Sequence, residues 1–525
     1  MFQAPPWALA WGLFSLLVVV GAYAPHFAGE FVWDDKVYLL ENPRLAPGTG
    51  IVSVLKAPLS GEVFRPVSTA TLWLQVHLFG FSMAGLRATQ LALHLGCGLA
   101  LLIWLRRRLQ SLAGAMLGAA LFLVHPAATE VVMLANARHD LLGTLFALVT
   151  LIVVDDGRSL RRGMAGGLCV LLATGCKESY VILAPLLAAQ AAVLYPRLGG
   201  GESVEPPLSW RIGVAGGPAA LGSAMVFAVR HALGISASSA LTLDVVSLAR
   251  AFAALLAHHV AAFVEFSDGP TAERYVPLAP WLTASILVLS AATLVALTTA
   301  AWRGGARART AWLGTMTLLL GLLPSVAAIP ATGQYGNRYG YFALAGFATL
   351  VAAAAAPIVP WLATRSALIR RLSMAVLVAA MLVLALETSA RAGDWRDGLT
   401  LFASDIQRTP SDSRANYDYG VEIVAARGCA EALPYFEHAA EAEPEWARPL
   451  RNWAGCALRL GRAAEAVGPA RRAVELEPEE PAHRRNLAAA LLGTGRLDAA
   501  RAELAEAERL APGAPQNEAL RRAFP

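Results

Sequence analysis

Residues 86–108 read LRATQLALHLGCGLALLIWLRRR. The stretch from Leu86 to Leu105 has about the 20 residues that cross a bilayer as a helix, and it stops at Arg106, Arg107 and Arg108. An apolar run closed by clustered arginine marks a cytoplasmic loop of a polytopic membrane chain. Working outward with the same pattern gives about eleven spans, at 7–24, 86–105, 111–128, 139–154, 163–176, 179–195, 212–230, 280–301, 310–329, 341–363 and 370–389. The other arginine sets are Arg158, Arg161 and Arg162; Arg197 and Arg211; Arg303, Arg307 and Arg309; and Arg365, Arg370 and Arg371. All of them fall on one side if the N-terminus is cytoplasmic. An odd count then places the C-terminal part outside, in the periplasm or a lumen. The further apolar run 248–265 would move two arginine sets across the membrane if it crossed. It reads as an interfacial or re-entrant helix. The first run, from Pro6 to Ala24, lacks a basic leader and reads as an uncleaved span.

Composition agrees with this division. The chain has 525 residues, 56% hydrophobic and 15% charged, with a mean hydropathy of +0.51. Residues 1–390 hold 42 charged side chains with net +8, whereas residues 391–525 hold 39 with net −3. A soluble domain carries about 25% charged residues, so only the last 135 residues look water-soluble. These values exclude an ordinary soluble enzyme, a disordered chain and a collagen-like fibre. The basic excess comes from 40 Arg against 3 Lys, placed between apolar runs, and does not indicate nucleic acid. The expected fold is all-α: a polytopic helical bundle at 1–390, a connecting segment at 391–412, and a helical solenoid with a capping helix at 413–525.

The solenoid reading comes from a 34-residue period. Ala432, Ala466 and Ala500 are in register, as are Ala439, Ala473 and Ala507, and Pro444, Pro478 and Pro512. Gly461 and Gly495 also match, while the first repeat has Arg427 there and Gly428 one place on. Small residues at these places let two antiparallel helices approach, and proline ends each unit. This is the tetratricopeptide pattern, in three copies at 413–446, 447–480 and 481–514. Such arrays present a concave surface to peptides or proteins; the alternative is a passive cap. Five cysteines, Cys97, Cys169, Cys176, Cys429 and Cys456, form no metal-binding spacing. Cys429 lies near the start of the second helix of repeat one and Cys456 late in the first helix of repeat two. Those helices are adjacent and antiparallel, so the pair is a candidate disulfide if the tail is outside, with two packed thiols as the alternative.

The chemistry-bearing residues cluster on the expected outer face. Asp34 and Asp35, in Phe31-Val32-Trp33-Asp34-Asp35, suit a general base that deprotonates an acceptor hydroxyl, or an oxygen site for a divalent cation. Their plain reading is a hydrated pair capping a helix that starts near Lys36. His125-Pro126 with Thr129-Glu130, then Arg138-His139-Asp140, sits at the outer end of two spans. Arg138 suits a phosphate, with Glu130 or Asp140 as its partner, or an internal salt bridge that locks the helix pair. Lys177-Glu178 carries the same two readings. Arg338 is a second phosphate candidate, and Tyr339 and Tyr341 suit an aromatic belt. His258-His259 point about 100° apart on a helix and read as structural. Asp155-Asp156 reads as a solvated inner loop.

Taken in order, these motifs resemble the tetratricopeptide-repeat O-mannosyltransferases. Phe31–Lys36, Leu40-Glu41-Asn42-Pro43 and Phe64-Arg65-Pro66 resemble that family's first luminal loop. His125-Pro126, Thr129-Glu130 and Arg138-His139-Asp140-Leu141-Leu142 resemble its next outer loop. Lys177-Glu178, Arg338-Tyr339-Gly340-Tyr341, Trp395 and Thr400-Leu401-Phe402 follow in the same order. Asn337 stands where an acid is expected before Arg338, and Ala137 where glycine is usual. The resemblance covers essentially the whole chain. It implies a bacterial membrane glycosyltransferase of the C superfamily that takes sugar from a polyprenyl phosphate, typically mannose, on the non-cytoplasmic face of the inner membrane. Asp34 and Asp35 match the family's acid that activates the acceptor, and by their own chemistry Arg138 and Arg338, with Lys177, are expected on the donor phosphate. Arg65, His125, Glu130, Asp140, Glu178 and Tyr339 are supporting residues. The implied partners are membrane lipid, the lipid-linked sugar, and an acceptor protein held by the repeats; no metal ligands are assigned. Two other readings stand beside this one: glycosylation of a lipid or polysaccharide, and a non-enzymatic repeat scaffold for envelope assembly.

Overall fold

A computed structural model describes residues 5–46, 48–56, 63–155, 157–194, 206–235, 244–267, 269, 271, 273–326, 329 and 333–525. Asp156 and Arg197 lie outside the described residues. The chain is helical almost throughout and divides into two compact units. Met1–Gly269 with Tyr275–Asp397 form the first, and Pro270–Arg274 with Gly398–Pro525 form the second. The 391–412 segment, expected as a connector, is itself helical: Ala367–Asp394 ends the first unit and Gly398–Arg408 opens the repeat unit.

Among the described residues of the first unit, eight helices are long and apolar enough to cross a membrane, or nine if one bent pair counts as a span. Helix starts follow side-chain caps. Ser82, Ser111 and Ser159 each accept a backbone N–H three residues on, opening Met83–Leu109, Leu112–Val124 and Leu160–Cys176. Met83–Leu109 ends on Arg106–Arg108, where cations favour the carbonyl end of the helix dipole.

The expected span 111–128 breaks. Its helix stops at Val124, His125 is extended (φ −70°, ψ 128°), and the next helical stretch is bent away by 58°. Pro126 explains this, because the residue before a proline is pushed out of the helical region. The expected span 341–363 does not break in this way: Ala356 and Pro357 keep helical backbone angles between Tyr341–Ala355 and Ile358–Ala363, and Asn337–Ala363 counts as one apolar span. The run expected to lie in the interface, 248–265, forms a 21-residue helix, Val245–Glu265, that meets the length and hydropathy of a span. One face of it is buried through Ala251, Leu255, His259 and Phe263.

Close packing in this unit depends on small residues, as expected where lipid leaves only contact to join helices. A Cβ on Gly346 would lie 2.5 Å from the Leu318 nitrogen of the neighbouring helix Ala306–Leu322. Arg87 donates to the carbonyls of His26, Met133 and Trp395, tying three segments of the chain together.

The second unit is the expected solenoid. The helix pairs are Ser413–Ala426 with Cys429–Ala442, Ala447–Arg459 with Ala463–Leu476, and Pro481–Gly493 with Leu497–Leu510, followed by Pro515–Arg521. Ala432, Ala466, Ala500, Ala439, Ala473 and Ala507 are fully buried. Gly428, Gly461 and Gly495 turn the chain between paired helices with φ of 92°, 73° and 75°. No neighbouring atom crowds them, so glycine answers the left-handed backbone and not a lack of space. The first repeat makes its turn one residue later, yet Cys429 and Ala463 start their helices in register. Cys429 and Cys456 are disulfide-bonded, with Cα atoms 5.0 Å apart. Cys97, Cys169 and Cys176 are free.

Candidate active site

Five segments, widely separated in sequence, meet in the first unit. Trp33 begins the assembly. It sits at φ 49°, in the left-handed region where a large side chain rarely settles. The turn sends the two following acids to different partners.

Asp34 reaches Arg338: its Oδ2 lies 2.8 Å from Arg338 Nη1. Glu130 grips the same arginine from the other side. Its Oε2 accepts the Arg338 backbone N–H at 3.1 Å, and its Oε1 is 3.6 Å from the guanidinium. The guanidinium also lies over the Trp33 ring, 4.8 Å from its centroid. The Glu130 side chain is 1% exposed and that of Asp34 is 22% exposed, so of the two acids Asp34 is the one an incoming molecule can reach.

Asp35 is fully buried and accepts the backbone N–H groups of Ala135 and Asn136 at 3.1 and 2.7 Å. It does not cap the helical turn Lys36–Leu40 with its side chain. It ties the first loop to the 135–137 turn, where helix-start N–H groups need acceptors. Burial pushes its carboxyl up to about 7, against the opposing pull of those two N–H groups and of Arg87. Of the two residues expected to be catalytic, Asp34 faces the cluster and Asp35 positions the loop.

A second group adjoins the first. Lys177 Nζ lies 2.7 Å from Asp140 Oδ1. Burial pulls this lysine below its ordinary range, with Asp140 opposing the shift. Arg65 holds Glu178 through two nitrogens, at 3.2 and 3.4 Å. Its Nη1 is also 3.1 Å from His139 Nε2. A guanidinium can only donate, so that ring nitrogen accepts. Tyr339 joins the two groups: Arg338 is 5.8 Å and Lys177 5.3 Å from its ring centroid. Asp140, Lys177, Arg338 and Tyr339 share a cavity of about 20 Å³, room for about one water.

Several expectations need correction. Arg138, expected on the donor phosphate with Glu130 or Asp140 as its partner, meets neither acid. Its Nε donates to Gln90 Oε1 at 3.1 Å and its Nη2 to Gln75, both neutral acceptors. Residues two apart on a helix face different ways, which keeps Arg138 from Asp140. Arg138 instead borders an apolar cleft of about 290 Å³ with Leu74, Leu78 and Leu93. Tyr339 and Tyr341 are not belt aromatics. Tyr339 belongs to the site, and Tyr341 is buried with its hydroxyl 2.7 Å from His94 Nδ1. Asn337, where an acid was expected, donates to the Gly269 carbonyl, and Arg338 finds its acids elsewhere. His125 is a support: Nδ1 accepts the Ala127 N–H and Nε2 donates to the Phe263 carbonyl. His258 stacks on Tyr335 with rings 4.5 Å apart. Among the described residues, no group of three or more His, Cys, Asp or Glu is placed to hold a metal. The sequence reading missed Trp33, Arg87 and Gln90. Arg87 and Gln90 carried a signal, being polar groups inside an apolar span.

No protein-family model matches the chain. It is 27% identical over 194 residues to the protein O-mannosyl-transferase F38B6.6 of Caenorhabditis elegans, covering 33% of this chain and 27% of that one. It is 30% identical over 156 residues to the protein O-mannosyl-transferase TMTC1 of Homo sapiens, covering 28% of this chain and 18% of that one. The chain thus spans about a quarter or less of the length of these curated relatives. Among solved structures, MamA MSR-1 aligns at 24% identity and TM-score 0.20, over 26% of this chain and 76% of that one. YrrB, a tetratricopeptide-repeat protein, aligns at 16% identity and TM-score 0.24, over 30% and 87%. Over a third of its length at most, this helical, multi-span chain is similar to proteins named O-mannosyl-transferases.

Proposed function

We propose that the chain transfers a sugar, mannose, from a polyprenyl phosphate to a hydroxyl of a protein, on the membrane face that carries Asp34. Arg106–Arg108, at the far end of the helix Met83–Leu109 that follows the Asp34 loop, argue that this face is non-cytoplasmic, periplasmic in a bacterium. One observation carries the reading: Arg338 is shared between Asp34 and Glu130, with Tyr339 linking it to Lys177. A reachable acid beside two cations suits a reaction that takes a proton from one substrate while holding the phosphate of the other.

In this mechanism the donor phosphate replaces Asp34 on Arg338. A guanidinium can hold phosphate through two parallel bonds, and Lys177 adds a point charge. Glu130 keeps its grip on the Arg338 backbone, so the arginine stays in place when Asp34 leaves it. The freed Asp34 accepts the proton of the acceptor hydroxyl. That oxygen bonds to the anomeric carbon as the bond from this carbon to the phosphate oxygen breaks. The electron pair leaves with the polyprenyl phosphate, whose charge faces Arg338 and Lys177. Asp35, Asp140, Glu178 and Arg65 keep the loops and cations in position. The apolar cleft beside Arg138 suits the prenyl chain.

Similarity to protein O-mannosyl-transferases favours a protein acceptor over a lipid or polysaccharide. The test is to incubate the purified full chain with labelled polyprenyl-phosphate mannose and a periplasmic protein extract, then analyse labelled products by mass spectrometry. Hexose on Ser or Thr is expected. Label only in lipid or polysaccharide would reject the acceptor, and no transferred label would reject the enzyme.

A further inference from the structure

The solenoid has its own charge pattern, which sugar transfer does not use. The first helices of repeats two and three, Ala447–Arg459 and Pro481–Gly493, contain Arg448, Arg451, Arg459, Arg484 and Arg485 and no acid. The second helices, Ala463–Leu476 and Leu497–Leu510, contain Glu465, Glu475, Asp498, Glu503, Glu506 and Glu508 beside Arg471, Arg472, Arg501 and Arg509. Residues 391–525 as a whole are net negative. The first helices of these two repeats are therefore net positive, and the second helices taken together net negative.

A cleft of about 310 Å³ opens along the first helices. Arg451, Arg459 and Arg485 line its wall, Val421 and Val424 give it an apolar patch, and no carboxylate borders it. Arg451 and Arg485 hold equivalent places in successive repeats. Among the described residues, no carboxylate lies within salt-bridge distance of these three arginines. Nearby arginines are paired: Arg414 with Glu443 at 2.9 Å, Arg484 with Glu503 at 2.8 Å, and Arg472 with Glu445. Three like charges on one concave wall repel each other and focus a positive potential into the cleft.

We propose that this cleft binds an extended acidic peptide segment, with its carboxylates on Arg451, Arg459 and Arg485 and an apolar side chain on Val421 and Val424. The repeat-to-repeat spacing of Arg451 and Arg485 suits an extended chain with separated acids. Nucleic acid fits less well, because the only aromatic side chain lining the cleft, Phe436, is buried and cannot stack on a base. The proposal does not depend on sugar transfer.

The test is fluorescence anisotropy with the full chain in detergent, without sugar donor. The probes are a labelled peptide of repeating Ser-Asp-Val, its Ser-Asn-Val counterpart, and a single-stranded oligonucleotide of equal charge. The acidic peptide should bind at least about tenfold more tightly than the neutral one, and should weaken as salt rises. Arg451→Gln with Arg485→Gln should remove about tenfold or more of that affinity at an unchanged melting temperature. Equal binding of the two peptides, or tighter binding of the oligonucleotide, overturns the proposal. Both comparisons use the parent chain, so the test stands even if the double variant folds poorly. Failure here leaves the transferase reading intact, since no donor is present.

Discussion

The candidate site of the first unit and the cleft of the second treat charge in opposite ways. In the first, Arg338, Lys177 and Arg65 already hold Asp34, Asp140 and Glu178. In the second, Arg451, Arg459 and Arg485 border a cleft that no carboxylate lines. The surrounding medium explains the difference. A buried ion without a partner costs several kcal/mol, and the penalty is retained at membrane depth. A guanidinium in water has no comparable need, and exposed pairs contribute about 0–1 kcal/mol. The membrane site must therefore stay closed on itself until a ligand brings a competing charge, whereas the solenoid cleft can remain open.

The largest expected effect comes from removing the acid that closes the membrane site. Asp34→Asn should lower transfer by about 10²–10⁴-fold, the usual share of a positioned base, while the protein still inserts and folds. Turnover at the parental rate would make Asp34 a mere partner of Arg338. The counterpart in the solenoid is covalent. Its disulfide joins residues 27 apart, so Cys429→Ser should cost about 3 kcal/mol of repeat stability, read by thermal or denaturant melting. Sugar transfer to a small soluble peptide should survive that change; if it fell in parallel, the two units would not be separable.

Smaller effects sharpen the contrast. Arg338→Lys keeps the charge but loses the two-point grip. The KM for the lipid donor should rise about tenfold, with little change for the acceptor. An unchanged donor KM would return Arg338 to a purely structural pairing. A pH slope gives a further contrast. The Asp35 carboxyl is raised to about 7 in the fold from a reference value of 3.8. Between about pH 4 and pH 7 the native state binds a proton that the unfolded state does not. Stability from this group therefore increases as pH falls through 7 and levels off below about 4. Asp35→Asn should flatten that slope in melting measured from pH 5 to 8; a slope equal to the parent's would exclude Asp35 as its source.

The same contrast governs how much was legible in the sequence. The repeats were readable down to single alanines and the Cys429–Cys456 pair, because each contact lies within one period or between neighbouring periods. Apolar runs located most of the membrane helices, but the break after Val124 depended on giving His125-Pro126 more weight than the run around it. For the site, residue types selected Asp34, Glu130, Lys177 and Arg338, yet not who would meet whom. Arg338 is 304 residues from Asp34 and 208 from Glu130, and no local spacing encodes such a pairing. Arg138 looked equivalent to Arg338 until Gln90 and Gln75 were found on its guanidinium. Asp34 and Asp35 could not be told apart because the unusual backbone of Trp33 separates them.

The most direct test is equilibrium binding of sugar-free polyprenyl phosphate to the parent chain and to Asp34→Asn. If phosphate must displace Asp34 from Arg338, the variant will bind this ligand more tightly than the parent even though it transfers sugar far more slowly. Binding that is unchanged or weaker in Asp34→Asn would contradict the exchange of Asp34 for phosphate on which the account rests.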